Sequence, residues 1–138
     1  MPEKKTIEKA RKAAREGKAP STQAGEFVHE EIEHIRSGKH GARSAKQAVA
    51  IGLSKARRAG VKLPPPAEGK VSKKTRENAK RDYRKGQNQR RPLSAKRSRA
   101  SLKALKREGG QAASSRALSR QAKESARRRQ SRRRRHAA

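Results

Sequence analysis

The segment Ser44-Ala-Lys-Gln-Ala-Val-Ala-Ile-Gly-Leu-Ser-Lys-Ala-Arg-Arg-Ala-Gly60 is marked as a helix at both ends. Ser44 can cap the first turn, and Gln47, three residues on, can reach back to the cap amide as in a capping box. Gly60 follows the last periodic residue, where a left-handed closing residue is cheapest. Between them Ala45, Val49, Gly52, Leu53, Ala56 and Ala59 recur at helical spacing on one face. Lys46, Lys55, Arg57 and Arg58 leave on the other sides. Ala48, Gly52 and Ala56 are small and four apart, so a second helix can come close. Gly52 costs about 1 kcal/mol of helix propensity relative to Ala. That cost is intelligible if a neighbouring backbone needs the room.

The rest of the chain limits how much can be built around this helix. Apolar residues make up 29% of the 138 residues, with one Phe, one Tyr and no Trp, while Lys and Arg number 41 against 12 acids. So little apolar surface cannot offset the ordering entropy of the whole length. The expectation is an all-α protein: a small helical hairpin followed by a long basic C-terminal tail, partly disordered or frayed-helical. The formal charge of +29 is unevenly placed. Residues 1–40 are nearly balanced, and almost all of the excess lies beyond them.

Four regions follow in order. Residues 1–20 hold a basic amphipathic helix over 3–16 with a thin stripe of Ile7, Ala10 and Ala14, ended by Gly17 and Pro20. Residues 21–63 are the hairpin module. Residues 18–25 read as a loop, with Ser21 and Thr22 as candidate caps. A second helix covers 26–36 with Phe27, Val28, Ile32 and Ile35 inward, and a Gly-bearing turn leads to the capped helix. The core is expected to be those four residues with Val49, Leu53 and Ala56, closed by Val61 and Leu63. It is marginal, and a homodimer through the hairpin would enlarge it. Residues 64–69, Pro-Pro-Pro-Ala-Glu-Gly, are a short extended linker. Residues 70–138 are the basic tail, with weak helical runs at 72–85, stopped by Gly86, and 94–108, then a Ser/Ala/Gln/Arg-rich end. Leu102 and Leu105 are the only sizeable apolar pair of the second run.

The tail carries the clearest functional signal. A block of one sign binds polyanions by releasing their counterions. The candidate nucleic-acid-binding residues are Lys73, Lys74, Arg76, Lys80, Arg81, Arg84, Lys85, Arg90, Arg91, Lys96, Arg97, Arg99, Lys103, Lys106, Arg107, Arg116, Arg120, Lys123, Arg127, Arg128, Arg129, Arg132, Arg133, Arg134 and Arg135. The near absence of aromatics removes the stacking platform that single-strand recognition uses. An anionic membrane is disfavoured as a partner, because the tail lacks the apolar face of an interfacial helix.

No enzyme chemistry is legible. There is no cysteine, and no Ser/His/Asp arrangement or glycine-rich phosphate loop. His29-Glu-Glu-Ile-Glu-His34 has the look of a zinc-protease helix, but that chemistry needs histidines four apart, and these are five apart. The expectation is a solvated face with intrahelical pairs His29–Glu33 and Glu30–His34. No catalytic, cofactor or metal site is expected. Ser37-Gly-Lys-His-Gly41 could cradle one phosphate through its amides, although such a turn is more often only a turn. The acidic helix 26–36 is the exception in a basic chain and could serve a protein partner, or mask the tail.

Two stretches carry a resemblance: Phe27-Val-His-Glu with Gly38-Lys-His-Gly, and Ser44–Gly60. Together they resemble the core of an uncharacterised family of small basic bacterial proteins. That family has a His-Glu helix, a Gly/Lys/Ser turn and a Lys-Gln-Ala-Ile-Ala-Ile-Ala-Leu-Ser-like helix. His40 and Arg43 depart from its turn, and the acidic run 30–33 is heavier. The resemblance implies a bacterial source and a hairpin module, and it transfers no catalytic role. The tail is similar in composition alone to linker-histone tails and histone-like nucleoid proteins.

The leading expectation is therefore a non-enzymatic, histone-like, largely sequence-nonspecific DNA-binding protein that neutralises DNA and bridges or compacts it. It is expected in the cytoplasm, on the bacterial nucleoid, where an N-terminus without an apolar signal core would leave it. The alternatives are an RNA- or ribosome-associated basic protein and an adaptor acting through helix 26–36.

Overall fold

In the computed structural model, which describes residues 2–88 and 94–137, the chain is all-helical, with no strand among the described residues. The helices are α1 (Lys4–Arg15), α2 (Pro20–Arg36), α3 (Ala45–Arg58), α4 (Lys73–Asn88), α5 (Ala95–Lys106) and α6 (Ser115–Ala137). A 3-10 turn, Gln111–Ala113, precedes α6.

The capped helix is built as its sequence signals. Ser44 Oγ accepts from the Gln47 amide at 3.1 Å. Gln47 Oε1 accepts from the Arg43 amide at 2.6 Å, one residue before the cap itself. At the other end Gly60 has φ +101°, and Val61 N–H donates to Ala56 O at 3.1 Å, so the orphan carbonyls of the last turn are satisfied. Gly38 closes α2 the same way, with Lys39 N–H on His34 O at 3.0 Å. Ser72 and Ser94 start α4 and α5 by accepting from Thr75 and Arg97 amides at 3.2 and 3.5 Å.

Helix α2 begins six residues earlier than its apolar stripe suggests. Pro20 stands at the first helical position, where its missing N–H costs nothing and its φ is already helical. The segment 20–25 is thus helix rather than loop, and Ser21 and Thr22 lie inside it. The extension adds Ala24, which is fully buried, to the core.

The core has two parts. Ala10, Ala24, Phe27, Ala56 and Val61 form one, with Ile7, Leu53 and Leu63 against it. Ile35, Ala42, Ala48, Ala112 and Ala113 form the other, with Ile32. Helix α1 packs on α2 through Thr6, Ala10 and Ala13, whereas Ala14 points out. Arg57 also differs from expectation: it is buried, not outward. Its guanidinium donates to Leu63 O at 3.2 Å and Pro64 O at 3.1 Å, fastening the chain that leaves α3. Burial lowers its pKa, and the nearby Asp82 charge acts against that shift.

Among its described residues the basic region is mostly helical rather than disordered, and its last helix reaches Ala137. Helix α4 packs on α3. Asp82 accepts from Ser54 Oγ at 2.6 Å and from Arg58 Nε at 2.8 Å. Gly86 does not stop α4. It lies inside the helix, where an added β-carbon would collide with the Arg57 carbonyl oxygen, so its lack of a side chain lets α4 cross the end of α3. Ala112 and Ala113 return to the head and fill the second part of the core, and Arg36 Nε donates to Ala113 O at 3.0 Å. Helix α5 buries no residue; Leu102 is exposed and Leu105 half-buried. Its carboxyl end is held instead by the turn after α2. Gly41 N–H donates to Leu105 O at 2.9 Å and Ala42 N–H to Gly109 O at 3.1 Å.

Candidate functional site

Among the described residues, helices α4, α5 and α6 carry the cations singled out from the sequence, apart from Arg107, which caps α5. Arg90 and Arg91 lie outside the described residues. On α4, Lys73, Lys74, Arg81, Arg84 and Lys85 are exposed, and Arg76 and Lys80 are half-buried. Arg76 Nε donates to Pro66 O at 3.2 Å, which ties the proline segment to α4. Arg81 donates to Asn78 at 2.9 Å, and Glu77 lies 3.4 Å from Lys80 rather than pairing with Arg81. Lys96, Arg97, Arg99, Lys103, Lys106 and Arg107 are all exposed. So are Arg116, Arg120, Lys123 and most of the terminal arginines of α6.

Helix α6 has 23 residues and spans about 34 Å at the usual rise per residue. Arg127, Arg128, Arg132 and Arg135 line one side of it around Ser131. Arg129 and Arg133 line another with Ala126 and Gln130. The cations therefore surround the helix rather than forming one stripe. Arg132 also donates to Lys70 O at 3.2 Å. Of the tail cations named above, Lys80 alone, among the described residues, lies within ion-pair distance of an acid. Unpaired guanidinium forks and ammonium groups of this kind match phosphate oxygens, the forks in bidentate fashion.

Sequence reasoning left out the cations of the head. Lys4, Lys5, Lys9, Arg11, Lys12 and Arg15 stand exposed on α1. Their signal was the same basic character, diluted by Glu8 and Glu16. Glu16 is held below its ordinary pKa mainly by the hydrogen bond from Lys18.

The turn 37–43 does not offer a free set of amides to a phosphate. The N–H groups of Gly41 and Ala42 are occupied by the carboxyl end of α5, and those of Gly38 and Lys39 by α2.

The His-Glu helix is not a solvated face. Glu30 and Glu31 are buried, His40 is buried, and the His34 side chain is 15% exposed. His34 Nε2 lies 3.2 Å from Glu3 Oε1 and 3.9 Å from Glu30, and His40 Nε2 lies 3.2 Å from Glu31. Lys55, expected to point outward, binds Glu31 Oε1. The pair Glu30–His34 thus forms inside a buried cluster. His29 is exposed, and Glu33 lies 3.7 Å from Arg36. With Glu30 and Glu31 turned inward, only Glu26 and Glu33 of this helix remain for an acidic docking surface, Glu26 half-buried and Glu33 exposed. Glu3 is held below the ordinary carboxylate pKa, first by the His34 hydrogen bond and then by Lys39.

No helix among the described residues is long and apolar enough to cross a membrane. Residues 3–66, from the start of α1 to the third proline, match the model of a family described as a family of unknown function (DUF6496). Helices α4 to α6 lie beyond that match. No curated protein and no solved structure matches the chain.

Proposed function

We propose that this protein binds nucleic acid, duplex DNA foremost, through α4, α5 and α6, largely without regard to sequence. The exposure of the α5 and α6 cations without acidic partners is the observation that carries this reading. Phosphates along a duplex are closely spaced negative charges, and each Lys or Arg that meets one releases condensed counterions. Helix α6 holds ten Lys/Arg against one acid. Its length is about that of one turn of B-DNA. Arginines on several sides of one helix suit a groove with phosphates on both flanks, or two duplexes held together. Neutralisation with bridging would compact DNA, and a place on the bacterial nucleoid follows from this activity. With a single phenylalanine and a single tyrosine, base stacking contributes little.

A salt titration of the full chain against a mixed-sequence DNA duplex and a structured RNA of equal length tests the reading. Affinity for duplex DNA is expected to fall with a log–log slope near about −9 if ten side chains meet phosphates. Duplex DNA should bind at least as tightly as the RNA. A clear preference for RNA would transfer the function to a structured-RNA or ribosomal partner. A shallow slope would sink phosphate neutralisation altogether.

A further inference from the structure

We propose that Glu31, His34 and His40 form a binding site for one divalent first-row transition-metal ion, with zinc as its best representative. The basic helices make no use of this cluster.

The Glu31 side chain is wholly buried. Its Oε1 is taken by Lys55, and its Oε2 has no hydrogen-bond partner. A buried carboxylate oxygen left bare is costly, so a positive centre is wanted there. The two histidines are set to supply the rest. His40 Nδ1 lies 2.9 Å from the Gly41 carbonyl oxygen. A carbonyl can only accept, so Nδ1 carries the proton, and in the neutral ring Nε2 is a lone pair. That lone pair faces Glu31 Oε2 at 3.2 Å, so two acceptors point at each other. His34 repeats the pattern. Its Nε2 donates to Glu3 Oε1 at 3.2 Å, so in the neutral ring Nδ1 is a lone pair, 3.8 Å from Glu31 Oε1.

Each imidazole thus has its outer N–H held by an oxygen and its inner nitrogen turned to a shared carboxylate. This is how metal-ligating histidines are oriented by their outer partners. One ligand atom from each of the three residues lies within 4.8 Å of the others. Ligand atoms around a tetrahedral zinc are about 3.4 Å apart, so short side-chain shifts close the site. Two imidazoles and one carboxylate favour zinc and its neighbours over magnesium or calcium, which prefer oxygen donors. The local charge agrees. Glu3, Glu30 and Glu31 face Lys39 and Lys55, a small negative excess within a chain of +29.

The ion would join α2 to the turn that receives α5, because His40 precedes Gly41 and Ala42, whose amides hold Leu105 O and Gly109 O. Metal uptake therefore bears on the seat of the basic arm.

The test is calorimetric titration of the chelator-treated full chain with Zn²⁺, free of nucleic acid, with Co²⁺ absorption as the spectroscopic probe. One Zn²⁺ per chain is expected, undisturbed by excess Mg²⁺. His40→Asn and Glu31→Gln should weaken binding at least tenfold and alter the Co²⁺ bands. Glu3→Gln, which removes the negative charge facing the His34 ring and Lys39, should weaken it about tenfold. His29→Asn and His136→Asn should leave it unchanged. Absence of stoichiometric uptake by the unmutated chain overturns the site without reference to any variant. It would mean that a proton on His40 bridges the pair. Equal losses from His29→Asn and His40→Asn would also overturn it, because surface histidines would then be capturing the ion.

Discussion

A β-carbon placed on Gly52 would lie 2.6 Å from the Cα of Val28. Helices α2 and α3 meet backbone to backbone at that point, and the glycine is what admits the contact. Gly52→Ala should destabilise the protein despite the better helix propensity of alanine. Overpacking of this kind costs about 1–3 kcal/mol, against about 1 kcal/mol regained from propensity. Gly25, inside α2 with nothing within 4 Å of its would-be β-carbon, is the internal control. Gly25→Ala should stabilise by up to about 1 kcal/mol. Thermal melts of the two variants should move in opposite directions, and a Gly52→Ala variant more stable than the parent would disprove the close crossing.

Asp82 gathers Ser54 and Arg58 of α3 onto α4. Removing the buried Asp82 carboxylate takes the acceptor from half-buried Ser54 and the ion pair from exposed Arg58, at about 1–3 kcal/mol. Asp82→Ala should therefore lower the denaturation midpoint. It should also speed amide exchange in α4 more than in α2. Unchanged protection of α4 would mean that Gly86 and Ala79 hold the helix without this pair.

The Glu3 carboxyl links α1 to His34 and Lys39, and these partners lower its pKa. A depressed carboxylate contributes stability that is present above its unfolded-state pKa, near the ordinary 4.5, and is lost as pH falls through the lower folded value. The tie between the start of α1 and α2 should thus hold at neutral pH and release only in acid. A carbon-detected NMR titration of the Glu3 side chain should give a value below 4.5, and His34→Gln should move it upward. No movement would show that His34 does not donate to Glu3.

Replacing Arg132, Arg133, Arg134 and Arg135 by glutamine removes four cations from the end of α6. If all four meet phosphates, the salt slope for duplex binding should shrink by about 3–4. The helical circular-dichroism signal per residue should change little, because the three exposed arginines bury nothing and Arg132 is only half-buried. An unchanged slope would place the phosphate contacts on α4, α5 or α1 instead.

The membership of the head's main core was legible from spacing. Phe27, Ile32, Ile35, Leu53, Ala56, Val61 and Leu63 pack in the two parts of the core as expected, whereas Val28 and Val49, expected beside them, are only half-buried and belong to neither cluster. Part of the second core was not. Ala112 and Ala113 sit in a run of Ser, Ala, Gln and Arg that has no apolar period, so nothing local separates them from their neighbours. Gly86 looked like a stop, because glycine after a helical run usually is one. Only the crossing with Arg57 makes it a contact residue. The His-Glu cluster is hidden from local spacing for a related reason. Spacing along α2 places His34 near Glu30, but it says nothing of Glu3, His40 and Lys55, which arrive from elsewhere in the chain.

What the sequence determined by itself was local: the two ends of the capped helix, the serine starts of α4 and α5, most of the apolar faces, and where the positive charge lies. Those depend on cap residues, on the helical period and on net charge, each readable within a few residues. The tertiary structure decided which polar groups were taken out of water. Arg57, Glu31, His40 and Asp82 look like surface residues in their own helices and turns. They become buried because α1, α4 and the turn 37–43 close over the same two helices. Burial is a property of several segments at once, and no single stretch of this chain contains it.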